Sequence, residues 1–488
     1  MLDMTELPEL NSLSSEEKDA LIIALFEQVQ SLVCEVSALK SEIIELKAKK
    51  SKNSRNSSKP PSSDGYDKPQ PKSQRQKSQR SSGGQPGHKG STLERVSDPD
   101  EVVTHRLEKC PHCDAELSSS TFIGHESRQT FDLPQIKINV TEHRVEIHDC
   151  ACCQRRGKAP FPADVTQPAQ YGKGIKSLVT YLSHYQLLPF KRLQELFQDL
   201  LGISLSQGTL NNSLEKCSEQ LIPFEQAVKA ELTEGQVVHF DESGIRVKKE
   251  LNWLHVASTP ELTYYRIHLK RGQEAMDEMG ILPDFQGIAV HDHWKSYYGY
   301  ECYHALCNAH HLRELTFACD QYQQHWSSKL IDCLVEAKQE VDEAKASQRS
   351  ALDQTRINYY ERRYSRILRE GIHELPTLDA SPQNKRGKPA QHKIKNLHDR
   401  LVDHKWEVLA YIYNFSIPFD NNLAERDVRM VKTKQKISGC FRSRAGADRF
   451  ALIRSYLSTV RKNGINVLEA LASAFAGIPF IPDSSKSG

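Results

Sequence analysis

Three acidic residues and two cysteine pairs have the types and spacing to do chemistry. "GQVVHFDESGIRV" reads as a strand ending near Asp241, and "FQGIAVHDHWKSYY" contains a short apolar strand, Ile288 to Val290, that delivers Asp292 at its C-terminal end. Strand ends of this kind carry ligands in mixed sheets, so Asp241 and Asp292 are placed to meet at adjacent ends. A third carboxylate on a later helix would complete an oxygen-only site, which suits Mg²⁺ or Mn²⁺. Two such ions about 4 Å apart serve in-line phosphoryl displacement.

Glu425 fits the third role. In "PFDNNLAERDVRMVKTKQKISGCFRS" Asn421 or Asn422 is placed to cap a helix, and Glu425, Arg429, Lys432 and Lys436 then share one face. A carboxylate at the start with cations behind it matches a metal edge that continues along a phosphate backbone. The plainer alternative is a charged surface helix, with Asn422 and Glu425 as a capping box and Glu425–Arg429 as an ion pair. His291, His293, His310 and His311 raise a different chemistry, a His-ligated site favouring Zn²⁺, Fe or Ni; on a strand His291 and His293 would point to the opposite face from Asp292.

"CPHC" and "CACC" place Cys110 with Cys113 and Cys150 with Cys153 at one spacing, enough thiolates for a structural zinc tetrahedron. Cys152 makes the second pair ambiguous, His112 or His148 could substitute, and unrelated reduced cysteines are the alternative. Twelve cysteines without a visible signal peptide argue for reduced thiols or a metal site and for a cytoplasmic protein. No apolar run reads as long enough to span a bilayer, so no membrane partner is expected.

These residues need elements to position them. The 488-residue chain is too long for one core. Residues 1–50 contain Ile22, Leu25, Val29, Leu32, Val36, Leu39, Ile43 and Leu46, a heptad seam with Ile/Val at a and Leu at d, which favours a parallel two-stranded coiled coil and so a homodimer or higher oligomer. Residues 51–97 read as a basic disordered linker: twelve Lys/Arg and two Asp lie between Lys47 and Gly90, whereas the whole chain is only +2. Residues 98–165 form the cysteine module, with strands expected in "TFDLPQIKINVTEHRVEIHDC". Residues 166–232 read as helices, Gly202 ending one and Ser206 capping the next, in the outline of either a helix-turn-helix or a small bundle. Residues 233–445 hold a strand meander and two further strands, with a helical stretch at about 321–410, and residues 446–488 a helical extension.

Taken together the chain resembles the transposases of the insertion-sequence-66 family. The resemblance runs over nearly the whole length and rests on "SSKPPSSD", "GGQPGHKGSTL", "CPHC" and "CACC", "YLSHYQLLPFKRLQELFQDLLGISLSQGTL", "HFDESGIRV", "VHDHWKSYY", "CNAHHLREL" and "DNNLAERDVRMVKTKQKISGCFRS". It implies a multidomain α+β protein: an N-terminal coiled coil, a zinc-ribbon-like module, a helical DNA-binding region and an RNase H-like mixed-sheet catalytic domain with a helical insertion. The implied Asp-Asp-Glu triad falls on Asp241, Asp292 and Glu425, with zinc at Cys110, Cys113, Cys150 and Cys153. The sequence departs from the family at Asp114, where glycine is usual, at the second knuckle, which lacks a proline and a trailing glycine, and at Cys440, another usual glycine.

The implied activity is cleavage and strand transfer at the ends of a mobile element in the bacterial nucleoid. Double-stranded DNA would be the partner, with phosphates held by Arg429, Lys432, Lys436 and Arg442, and companion proteins of the element are possible further partners. The alternatives are an inactive DNA-binding repressor derived from such an enzyme, a nuclease that cuts without joining, and a structural coiled-coil protein.

Overall fold

A computed structural model describes residues 14–57, 64, 92–134, 136–376 and 391–482. The linker reading falls mostly outside these residues. The chain forms two units, one of Met1–Gln70, Asp164–Leu196 and Ser204–Gly488, the other of Pro71–Ala163 and Phe197–Ile203.

Helix α1, Ser15–Lys50, opens on a capping box: the Ser14 hydroxyl accepts from the Glu17 N–H at 3.2 Å, and the Ser14 N–H donates back to the Glu17 carboxylate at 2.8 Å. All eight seam residues are exposed, at 42–63%. This helix is also long and apolar enough to pass for a membrane span, with an 18-residue window of mean hydropathy 1.5. That overturns the expectation that no run would qualify, because such a window tolerates isolated charges such as Glu27. The heptad spacing concentrates the apolar residues on one stripe.

In the second unit β1 (Ile147–Asp149) pairs antiparallel with β2 (Arg156–Lys158) around "CACC". The longer strands expected upstream are absent among the described residues. Phe131, Ile136 and Val140 are exposed there, with no partner strand to satisfy a ladder.

After Asp164 the chain continues with α2 (Lys173–Thr180), a π-helical turn at Tyr181–Tyr185, α3 (Phe190–Leu201), α4 (Gln207–Gln220) and α5 (Ile222–Thr233); all but the last turn of α3 belong to the first unit. Gly202, at φ +67°, ends α3, and the Ser206 hydroxyl accepts from the Thr209 N–H at 3.0 Å to start α4. Leu214, Cys217, Phe224, Val228 and Leu232 from α4 and α5 share a core with Val238, Phe240 and Ala257 of the sheet, so these helices pack on it directly.

The sheet contains β3 (Val237–Val247), β4 (Glu250–Ser258), β5 (Thr263–His268), β6 (Ile288–His291) and β7 (Tyr303–Leu306), in the order β5-β4-β3-β6-β7. The first three form an antiparallel meander; β6 lies parallel to β3, and β7 parallel to β6. Helix α6 (Gln273–Met279) precedes β6. After β7 come α7 (Asn308–Tyr322), α8 (His325–Ala346), α9 (Gln354–Gly371), α10 (Lys393–Asp403), α11 (Lys405–Val408) and α12 (Ala410–Tyr413), which share a core around Trp326, Leu334, Tyr364 and Leu401 with Val290 of β6 and Ala305 and Leu306 of β7. Then α13 (Asn422–Ser438), α14 (Arg444–Lys462) and α15 (Val467–Phe475) return to the sheet.

Helix α14 covers the open edge of β5. The Thr263 N–H donates to the Thr459 hydroxyl at 3.0 Å, the Tyr265 N–H donates to the Ser455 hydroxyl at 2.8 Å, and Arg444 donates to the Ile267 carbonyl. Hydroxyls spaced four apart on the helix thus satisfy alternate strand amides and block pairing with another chain. At the β6 entrance, a Cβ on Gly287 would collide with the Gly235 and Gln236 carbonyls and the Phe285 ring. Gly287→Ala is therefore expected to destabilise the protein by about 2 kcal/mol, read from the denaturant midpoint.

Candidate active site

Parallel pairing sets His239 on β3 opposite Val290 on β6. Asp241 and Asp292 each lie two residues further along, and the period of two puts both on one face. Asp292 directly follows the end of β6, whereas Asp241 lies within β3: the strand expected to end near it runs on to Val247, because residues 241–247 keep their pairing with β4. The row continues on β7. His291 pairs with Leu306, and the Cys307 N–H donates to the His291 carbonyl at 3.0 Å, which brings Cys307 level with Asp292.

Helix α13 covers the Asp241 face. Its Ala424, Val428 and Val431 pack with Ile245 and Val247, which share the parity of Asp241 along β3. Its N-terminus is held by Asn421. The Asn421 amide donates to the Phe240 carbonyl at 2.7 Å, its oxygen lies 2.8 Å from His239 Nδ1, and its backbone N–H donates to Cys307 Sγ at 3.2 Å. The expected side-chain cap by Asn421 or Asn422 is not made: Asn421 reaches across to β3, and the Asp420 carboxylate accepts the Asn422 N–H at 3.1 Å. Asn421→Ala would leave the Phe240 carbonyl and His239 without these buried bonds. The expected cost is about 3 kcal/mol in the denaturant midpoint, and Glu425, one turn along, would lose its seat.

Burial, then the charges of Glu242 and Asp292 and, more weakly, Glu425, push the Asp241 carboxyl well above its usual range, against the Glu242 N–H, which donates to it at 2.8 Å. The three carboxylates are therefore near enough to repel. Glu425 is 16% exposed; its Oε2 lies 3.7 Å from Arg429, and its Oε1 is buried with no hydrogen-bond partner. No choice of one oxygen from each of the three carboxylates brings all three within 4.8 Å of one another.

Sequence reasoning missed the support behind this row. Glu242, one residue after Asp241, points to the opposite face and is fully buried. It accepts from Arg271 at 2.6 Å and from the Tyr297 hydroxyl at 2.7 Å. Burial and the Asp292 charge nevertheless raise its pKa to about 7. The Arg271 guanidinium stacks on Trp294 at 3.7 Å and also lies 3.7 Å from Asp292. The available signal was the second acid in "FDES": alternation sends it into the core, where a carboxylate needs a cation.

His291 is buried, stacks on Tyr297 at 4.3 Å and lies 3.1 Å from His304 Nδ1. His293 packs beside His404 and His311, with both ring nitrogens unpartnered. Of the residues expected to meet phosphate, Arg429, Lys436 and Arg442 are exposed, whereas Lys432 is half-buried and donates to the Gly244 carbonyl of β3.

The two cysteine knuckles have one backbone geometry. The Asp114 N–H donates to the Cys110 carbonyl at 2.9 Å and the Gln154 N–H to the Cys150 carbonyl at 2.8 Å; the Cys110 N–H donates to the Ala115 carbonyl at 2.9 Å and the Cys150 N–H to the Arg155 carbonyl at 3.0 Å. Asp114 and Gln154 both take positive φ, +60° and +54°, the left-handed conformation that favours glycine. N–H groups of His112 and Cys113 lower the pKa of Cys110, as those of Cys153 and Cys152 lower that of Cys150. Cys152 thus occupies the place of His112, and Cys153 that of Cys113. Each knuckle brings its own two cysteines together; the four are not gathered within 4.8 Å.

Residues 168–449, spanning this sheet and all three carboxylates, match the transposase IS66 family, and residues 108–154 match the zinc-finger binding domain of transposase IS66. The chain belongs to the IS66 transposase family. Residues 5–94 match a family of unknown function, DUF6444. An uncharacterised protein of Sinorhizobium fredii, y4hP, is 21% identical over 429 residues, 78% of this chain and 73% of that one.

Proposed function

We propose that the chain is an Asp-Asp-Glu DNA transposase whose residues 233–445 form an RNase H-like catalytic domain with a helical insertion. The observation that carries this reading is the in-register placement of Asp241, within β3, and Asp292, just past the end of β6, on one face of two parallel strands, with Glu425 held beside them through Asn421. The donor set fits a hard divalent cation. It is all oxygen, Asp241 carries an unfavourable negative charge, and one Glu425 oxygen is buried without a partner. When bound, Mg²⁺ or Mn²⁺ would polarise the scissile phosphate and acidify the attacking hydroxyl or water.

Asp241 and Asp292 would be the main ligands, with Glu425 completing the site and orienting the attacking oxygen. Arg271, clamped between Glu242 and Trp294, would keep Asp292 in place. Arg429, Lys436 and Arg442 would contact phosphates, while Lys432 fixes α13 to β3. The zinc module at 98–165 and the helices at 166–232 would bind the element ends in the cytoplasm, on the nucleoid.

A product assay tests the reading. Purified protein is incubated with labelled element-end DNA, target DNA and Mg²⁺, with companion proteins of the element added, and the strands are resolved on a denaturing gel. Joined strands are expected. Nicks alone would make it a nuclease, and specific binding without products would make it a repressor. The exposed α1 seam supports pairing of two protomers: Leu32→Asp with Leu39→Asp is expected to convert a dimer to a monomer in sedimentation.

A further inference from the structure

We infer that Cys307, His310 and Glu425 form a second, sulfur-containing metal site that takes a thiophilic divalent ion such as Zn²⁺ and, by capturing Glu425, blocks the neighbouring carboxylate site. Their ligand atoms all lie within 4.8 Å of one another. Cys307 ends the β7 row and His310 follows in the first turn of α7, where a spacing of three puts both on one side of the helix. His310 Nε2 stands 4.0 Å from Glu425 Oε1, the oxygen that is buried without a hydrogen-bond partner; the other His310 ring nitrogen is also unpartnered. Cys307 Sγ accepts the Asn421 N–H at 3.2 Å; burial pushes the thiol up to about 12, which that N–H only partly offsets, so the sulfur is a thiol until a metal displaces its proton.

The donor chemistry separates the two sites. Asp241 and Asp292 offer only oxygen, which suits Mg²⁺, whereas thiolate, imidazole and carboxylate together suit zinc and leave a fourth position for water. Binding replaces the thiol proton by the metal–sulfur bond and releases that proton to solvent. Glu425 cannot serve both ions fully, so occupancy of the softer site withdraws the third carboxylate. The inhibitory consequence rests on the transposase reading; the metal site does not.

The test is a Co²⁺ titration of the full-length protein, followed by sulfur-to-metal charge-transfer absorbance. Native protein is expected to bind about two equivalents, one at the knuckles and one here. Cys307→Ser is expected to lose one equivalent, and His310→Gln to weaken the same equivalent by about tenfold or more. Because Cys307 is buried, the His310→Gln variant decides the matter if Cys307→Ser fails to fold. Two equivalents retained in both folded variants, or one in the native protein, would overturn the site. In a second arm, Zn²⁺ is added to the Mg²⁺-supported cleavage reaction. Inhibition that needs about tenfold more Zn²⁺ in Cys307→Ser supports the blocking role, and equal sensitivity overturns it. A native protein with no cleavage activity would count against the transposase reading, with the titration still deciding the metal site.

Discussion

Asp292→Asn is expected to reduce Mg²⁺-dependent cleavage and joining by about a thousandfold or more, because a metal-held transition state is worth several kcal/mol. Binding of element-end DNA should persist, since the exposed Arg429, Lys436 and Arg442 remain. The substitution is nearly isosteric and removes one of the negative charges that, after burial and the charge of Glu242, push the Asp241 carboxyl up. The folded state should therefore be no less stable, and a Tm equal to or above the native value separates loss of chemistry from loss of fold. A lowered Tm with lost binding would mean that Asp292 is structural, through the Trp294 N–H it accepts at 3.1 Å and the nearby Arg271.

The second large effect concerns zinc. Cys153→Ser is expected to abolish zinc retention by the zinc-finger module, whereas Cys152→Ser leaves it unchanged. Gln154, in its left-handed conformation, follows Cys153 as Asp114 follows Cys113, which puts Cys152 at the non-ligand place of His112. The module has little else to hold it: Val102, Leu107, Phe122, Ile123 and Val140 are exposed, and its ladder is two three-residue strands. A domain without a core depends on its metal for folding. Chelation should then open residues 98–165 to protease while the sheet-containing unit stays resistant. Equal zinc content in the two serine variants would sink the assignment.

Much of the site was legible because it obeys short-range rules. The apolar run Ile288 to Val290 ends beside Asp292 as a short strand must, and β3 carries Asp241, although the strand continues past it to Val247 because β4 pairs with it there. Gly202 and Ser206 mark a helix end and a helix start through φ and hydroxyl chemistry that their own types dictate. The C-x2-C spacings fixed two knuckles, and the departures at Asp114 and after Cys153 fall on the two positions that need positive φ.

What the sequence could not show depends on partners remote in the chain. Asn421 reads locally as a helix cap, yet it bridges α13 to residues about 180 positions earlier, because a buried carbonyl and a histidine there outbid the helix amides. Lys432 reads as a phosphate contact and instead reaches Gly244. Glu242 reads as a neighbour of Asp241, and only the sheet places it in the core against Arg271 and Tyr297. The amino-acid types and their spacing determined the family, the end of β6 and the metal-capable donors. The tertiary structure decided which polar groups are sealed from water, and a buried polar group takes whatever complementary partner the fold brings within reach.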